Sequence, residues 1–422
     1  MPKHFHTIVI GGGCLGVAAA VSLARRLIGN GREPVCLIEK AVLGAGLSSR
    51  HSAIIRSANA SATAARLAAR STDLWKDLAD LWGVAVPWER PGAIWIGQGS
   101  TNVGATNPWH DLASSMRQNG VDFHAIDRAE ASRLTERQLR LDADEIYFYE
   151  PEVLQLEASG VLQAMQKAVK AHAVELKEHT RVEGFDLNGK GLIRGVRTNH
   201  GEVGCDFVVN SAGGWSSSLF APLGVQVPVA LEPVYAANWL IGSADLPENL
   251  PIIADHVNRA YFRRWRGSIL HMHQPRQRKP QSIAADFAHS LMNPAGADII
   301  YDASNYAVTH QQVAHYGEKV RNRFPSIGSP IYAGGYVSYF DITPDLKFIL
   351  GPDGALPNLI HCLGAGQALK YAPIFGELMR ELILEGRTKE FDLSEFSIQR
   401  FATKPLDKFW KAENQQVAEN TL

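Results

Sequence analysis

With 422 residues, 45% of them hydrophobic, the chain is long enough for a large buried core, expected as two domains or one domain with a substantial insertion. Forty-two basic residues against 43 acidic ones leave no positive surplus, which removes the electrostatic case for nucleic acid or an anionic membrane surface and favours a small-molecule partner. The four cysteines (Cys14, Cys36, Cys205, Cys362) are widely spaced without a C-x-x-C pair, so no metal site or disulfide framework is expected and a reducing, cytoplasmic setting fits.

The run TIVIGGGCLGVAAAVSLA, residues 7–24, follows Lys3 and ends in small residues, so it imitates a secretion signal. The glycines favour another reading. Thr7 to Ile10 is a short β-branched strand, Gly11, Gly13 and Gly16 satisfy G-x-G-x-x-G, and Val17 to Leu27 reads as an alanine-rich helix. In such a unit the first glycine makes the tight turn, the second admits a pyrophosphate and the third lets the helix sit close on the strand, with free N–H groups at the helix start facing the phosphates. A second strand, Pro34 to Ile38, ends at Glu39, where an acid is expected to accept hydrogen bonds from a ribose. Strand, loop, helix, strand and acid in order make this a dinucleotide-binding unit.

Farther on, a loop of small residues (40–60) precedes a helix-like segment from Ala65 to Trp82 and a turn and strand in PWERPGAIWIGQG. Residues from about 99 to 150 are polar and mixed, and Leu156 to Ala173 has helical periodicity. Two short runs around NHGE read as a hairpin, followed by an apolar strand, Phe207 to Asn210, and a glycine turn. Strand candidates ALEPVYAANWLIG and AYFRRWRGSILHMH and a helix from Asn305 to Arg323 come next. A last glycine turn leads to an amphipathic helix from Ile374 to Leu384 and a polar tail. No run approaches the roughly 20 apolar residues of a membrane span.

Nucleotide-fold pieces thus recur at the start, middle and end. The expected class is α/β (α+β): a Rossmann-like dinucleotide-binding domain (1–90, 150–225 and 330–403) interleaved with a substrate domain on a mostly antiparallel sheet (91–149 and 226–329), then a tail, 404–422.

The chain resembles the flavin-dependent amine and amino-acid oxidases of the D-amino acid oxidase superfamily, nearest to the sarcosine oxidase β-subunit and the glycine and dimethylglycine oxidoreductases. Four blocks carry the likeness: the glycine unit with Glu39, SSRHSAIIRSAN, GVRTNHGEVGCDFVVNSAGGWSSSLFAPLGVQVPV, and DITPDLKFILGP with LGAGQALKYAPIFGELMRELILEG. The resemblance implies FAD and oxidation of a small amino acid by hydride transfer to flavin N5, the substrate being a sarcosine-, dimethylglycine- or proline-like amine. It implies O2 or a redox protein as electron acceptor and admits a hetero-oligomer. A 2-hydroxy-acid dehydrogenase and a non-catalytic flavoprotein subunit or assembly factor are the alternatives.

By the same resemblance, Gly11, Gly13, Cys14, Leu15, Gly16, Glu39, Lys40 and Val182 serve the ADP half, and Ala212, Gly213 and Trp215 close around the diphosphate. Ser48, Ser49, Arg50, His51 and Ser52 run beneath the isoalloxazine, and Gly364, Gly366, Gln367, Ala368 and Leu369 form a turn at its edge. Arg56 and Lys370, the latter placed in the turn before the last helix, match the clamp for a substrate carboxylate. His51, Tyr261 and Arg263 are further catalytic candidates, and His271 and His273 share their strand face. Three positions depart from the relatives. Ser338 stands where monomeric sarcosine oxidases carry a flavin-bonded cysteine, so the FAD is expected to be noncovalent; Leu156 stands where the β-subunit carries an FMN-bonded histidine; Leu270 falls near the lysine that promotes reaction with oxygen.

Overall fold

A computed structural model describes residues 2–27, 35–99, 108–242, 246–265, 267–274 and 308–402. The expected tail and residues 305–307 of the expected 305–323 helix lie outside these. No helix among the described residues is long and apolar enough to cross a membrane.

The glycine unit lies at the heart of one sheet. Strand His4–Ile10 runs parallel to Val35–Ile38 on one side and to Gly201–Asn210 on the other. Glu175–Lys177 extends the parallel order beyond Val35–Ile38, and Leu359–Leu363 joins it beside Gly201–Asn210. The remaining strands, Val182–Leu187, Ile193–Thr198 and Ile349–Pro352, pair antiparallel. Ile8, Val9, Cys36 and Leu37 are fully buried, as central parallel strands covered on both faces require.

The helix Cys14–Leu27 starts three residues earlier than its apolar pattern suggests, because the glycine turn ends at Gly13. It packs against the last helix, Ala368–Glu385, so closely that a Cβ on Gly376 would lie 2.6 Å from the Ala18 carbonyl oxygen. That last helix corrects the sequence reading: it begins six residues before Ile374 and contains Pro373. The turn ending at Gly366 (φ +77°) sets its start, and Lys370 is its third residue instead of a turn residue.

The second sheet runs Ile331–Ile342, Ala230–Leu240, Ile269–Gln274, Ala260–Trp265, Ile252–Asp255, Ala93–Gln98, Glu145–Glu150, His124–Ile126. Every pairing in it is antiparallel except Ile252–Asp255 with Ala93–Gln98. Ile331–Ile342, grouped by sequence with the nucleotide segments, belongs to this sheet through its pairing with Ala230–Leu240. A buried ion-pair triad, Arg323 to Asp255 (2.6 Å) and Glu145 (2.7 Å), ties helix His310–Arg323 to it.

Two other expectations shift. The segment 65–82 divides into helices Ala62–Lys76 and Leu78–Trp82 at Asp77. Phe207 to Asn210 is the end of one long strand, Gly201–Asn210, whose beginning forms the hairpin with Ile193–Thr198. A small third sheet, Ile54–Ile55, Leu154–Leu156 and Trp88–Glu89, carries the chain from the nucleotide unit to Arg56.

Candidate active site

Two clefts meet at the C-terminal ends of the parallel strands. The first, of about 1490 Å³, is lined by Gly11, Gly13, Cys14, Leu15, Glu39, Lys40, Ser48, Val182, Ala212, Gly213, Trp215 and Ala368, all expected at the cofactor. The second, of about 990 Å³, is lined by Arg50, His51, Ser52, Arg56, Tyr261, His273, Gly366, Gln367, Leu369 and Lys370, together with Ser338, Tyr336 and Phe340. Cys14, Leu47, Ser48, Asp341 and Ala368 border both, so the cleft at the glycine loop adjoins the one lined by Arg56 and Lys370.

The first cleft is made largely of backbone. At Gly11 φ is +109° and a Cβ would stand 2.3 Å from the Ser211 carbonyl oxygen; at Gly16 it would stand 1.9 Å from that of Gly11. These glycines bring the loop onto the second glycine turn and the helix onto the loop. Gly16 itself does not face the cleft. Glu39 has a double part: its carboxylate accepts hydrogen bonds from the Gly12 N–H (2.7 Å) and the Ala41 N–H (2.8 Å), which fixes the loop, while the side chain borders the cleft. The Lys40 ammonium sits over the Trp215 ring at 4.2 Å. A glycine cradle, a helix start with no acid in its first turn and a carboxylate after the second strand fit a dinucleotide.

The second cleft is made of side chains from distant segments. Arg56, 7% exposed, donates from Nη1 to the Ala58 carbonyl at 2.7 Å and lies over the Trp95 ring at 5.0 Å. Lys370, 4% exposed, has an Nζ with no hydrogen-bond partner among the described residues. Burial holds the Lys370 ammonium well below its ordinary pKa; the Arg56 charge lowers it further, and Glu150 opposes both. The Lys370 carbonyl accepts from Trp75 Nε1 at 3.3 Å, which anchors the first turn of the last helix.

Two histidines, His51 and His273, line the cavity; His256 lies outside the lining. His51 Nδ1 accepts from the Ala53 N–H at 3.1 Å, and burial, with help from Arg263, lowers its pKa to about 4. His273 is likewise lowered to about 4 and His256 to about 3, by burial and then by Arg56. All three are therefore neutral near pH 7. Tyr261 stands opposite His273 across the strand pair, and its hydroxyl lies 3.4 Å from His256 Nε2.

Several expected site residues face elsewhere. Arg263 lies outside both linings: it donates to the Leu156 carbonyl at 3.2 Å and lies over Trp265, because its strand position is one step along the face from Tyr261. His271 pairs with Asn238 through Nδ1 (2.8 Å) and approaches Ser52 at 3.4 Å without lining the cavity. Ser49 donates to the Gly46 carbonyl, and Gly364 makes room for the helix start, where a Cβ would stand 2.6 Å from Ala368. Of the departures, Ser338 borders the cavity, whereas Leu156 and Leu270 are buried strand residues.

Two acids at the site escaped the sequence reading. Asp341, between the clefts, accepts from the Gly366 N–H at 2.9 Å, and burial raises its pKa to about 6. Glu150 is buried and accepts from the Ser57 and Ala58 N–H groups, next in sequence to Arg56. The available signal was an acid closing an aromatic strand, as in IYFYE and SYFD.

A family model described as FAD dependent oxidoreductase matches residues 6–382. The chain belongs to that family. Its cofactor is FAD. The chain is 26% identical over 411 residues to 4-methylaminobutanoate oxidase (formaldehyde-forming) of Paenarthrobacter nicotinovorans, covering 95% of this chain and 46% of that protein. It is 23% identical over 413 residues to the mitochondrial dimethylglycine dehydrogenase of Rattus norvegicus, covering 96% and 46%. It therefore spans about half the length of these curated relatives. Among solved structures, L-proline dehydrogenase from P. horikoshii superposes with a TM-score of 0.78 at 20% identity, covering 95% of this chain and 99% of that one, a likeness of fold.

Proposed function

We propose that this FAD-dependent oxidoreductase oxidises a small amino acid carrying a secondary or tertiary amine, of the sarcosine, dimethylglycine or proline type, with the carboxylate held by Arg56 and Lys370. The observation that carries this reading is a buried arginine and a buried lysine lining one cavity, the lysine Nζ without a hydrogen-bond partner among the described residues, beside the nucleotide cleft. Arg56 offers a planar fork to a carboxylate and Lys370 a compact charge. When bound, FAD supplies the acceptor for the two electrons and hydrogen leaving the substrate.

The rest falls to the protein. Two cations on one side and neutral histidines on the other leave the cavity with a positive bias that a carboxylate relieves. The same cations disfavour protonation of an amine seated beside them, so the chain's charges keep the lone pair available. Tyr261 and His273 offer hydrogen-bonding groups on the facing strands, and apolar Ala236 and Phe340 bound the space left for N-alkyl groups. The names of the curated relatives, which act on N-methylated amino acids, support the substrate class.

The test is anaerobic mixing of the purified yellow protein with sarcosine, dimethylglycine, proline, 4-methylaminobutanoate and a 2-hydroxy acid, read by flavin absorbance. Bleaching by one or more of the amino acids is expected. Bleaching by the hydroxy acid alone would transfer the chain to the 2-hydroxy-acid dehydrogenases, and no bleaching by any of them would favour a non-catalytic subunit.

A further inference from the structure

The loop that bears Arg56 makes no regular helix or long strand, yet its guanidinium must be held in one place to grip a carboxylate. Five contacts close a ring around it. Arg56 Nη1 donates to the Ala58 carbonyl at 2.7 Å. The backbone N–H groups of Ser57 and Ala58 donate to Glu150 Oε1 at 2.5 and 3.1 Å. The other carboxylate oxygen, Oε2, accepts from Trp95 Nε1 at 3.1 Å. The Trp95 ring in turn lies beneath the guanidinium at 5.0 Å.

We infer that Glu150 is the positioning residue of the carboxylate clamp: it fixes with one oxygen the backbone that follows Arg56, and with the other the aromatic platform on which Arg56 rests. This inference rests on the clamp reading proposed above. Glu150 is 1% exposed and borders neither cleft, so it acts through its neighbours and not on substrate. Two features show a carboxylate built for the purpose. It spends its oxygens on three N–H donors from two separate segments, where one would satisfy a merely tolerated acid. It also sits at the end of strand Glu145–Glu150, paired with Ala93–Gln98, so the same strand pair carries Glu150 and Trp95 and holds them as one rigid unit. Burial raises the Glu150 pKa, and the Ser57 N–H, Arg56, the Ala58 N–H and Lys370 each oppose that rise, so the acid and the two basic residues are electrostatically coupled.

The experiment compares Glu150→Gln, Trp95→Phe and Arg56→Met holoenzymes with the parent, using benzoate as carboxylate probe and benzamide as its uncharged counterpart, both read by flavin absorbance. Glu150→Gln retains an acceptor for Ser57 and Ala58 but turns a donor toward Trp95 Nε1 and removes the charge. The benzoate dissociation constant is expected to rise about 10- to 100-fold with benzamide unchanged, a loss of the size that small misplacements at a site produce. Trp95→Phe, which keeps the ring and deletes the donor, should shift benzoate in the same direction by less; it decides the matter if Glu150→Gln fails to fold. In the Arg56→Met background the Glu150→Gln effect on benzoate should vanish. Equal losses for both probes, or an unaltered benzoate constant in a folded variant, would overturn the assignment. Should Arg56→Met leave benzoate binding unaltered, or the parent not bind it, the clamp reading itself fails; a crystal structure of Glu150→Gln then still decides the positioning, a guanidinium displaced from Trp95 supporting it and an unmoved one refuting it.

Discussion

The two clefts are built on opposite principles. The nucleotide cleft is shaped by backbone: glycines whose missing Cβ atoms let one turn lie on another, and a helix start beside strand ends. Its side chains, Glu39 foremost, serve the loop as much as any ligand. The cavity beyond it is shaped by side chains from residues 50–56, 234–273, 336–341 and 366–370, and depends on charges kept from water. A backbone site tolerates changes of side chain but no added atom at its contact points. A side-chain site tolerates repacking, and changes character when one charge changes. The first is thus a matter of shape and the second of electrostatics.

The comparison can be broken most severely at Gly16. Gly16→Val puts carbon where the Gly11 carbonyl oxygen already lies within 1.9 Å, and overpacking there is expected to cost on the order of 3 kcal/mol or more, with loss of bound flavin in an absorbance assay. Gly13→Ala is the contrast: its Cβ would meet only the Ser48 hydroxyl at 3.1 Å, and the protein should still fold.

Next in size is Lys370→Met. Removing an ammonium that is buried without a hydrogen-bond partner should stabilise the fold by about 1–4 kcal/mol, seen as a higher melting temperature, while carboxylate affinity falls. A fall in both would show that Lys370 is structural, and the contrast between clefts would weaken.

The last expected effect is on pH. His51, His256 and His273 have folded pKa values of about 4, 3 and 4, below the ordinary 6.5 of an unfolded histidine. As pH falls from about 6.5 toward 4 the unfolded chain takes up protons that the folded one refuses, so stability should drop across that window. Urea midpoints at pH 7 and 5 measure it. Replacing His256 and His273 by Gln should flatten the slope, whereas Gly13→Ala should leave it unchanged.

What could be read from sequence follows the same division. Gly11, Gly13, Gly16 and Glu39 lie within one local unit whose spacing carries its own geometry, so strand, turn and helix were legible there. Arg56 and Lys370 were reachable only through resemblance to other proteins, since nothing local reveals that residues so distant line one cavity. Glu150 and Asp341 were missed because an acid at the end of an apolar strand is compatible with solvent; their burial comes from other segments of the chain. Pro373 misled the reading of the last helix: proline discourages helix before it, but the glycine turn at 364–366 had already set the helix start. The place of Ile331–Ile342 depended on its long-range partner, Ala230–Leu240, which no local pattern names.

The seat of Gly376 on Ala18 has a consequence for biosynthesis. The helix Cys14–Leu27 is translated long before the segment Ala368–Glu385 that packs on it. Until then the nascent chain carries an alanine-rich ridge with nothing to shield it, open to chaperones or to premature association. Ala368 lines the nucleotide cleft, so cofactor capture waits for that segment, and chains released before residue 368 should accumulate as insoluble, colourless material.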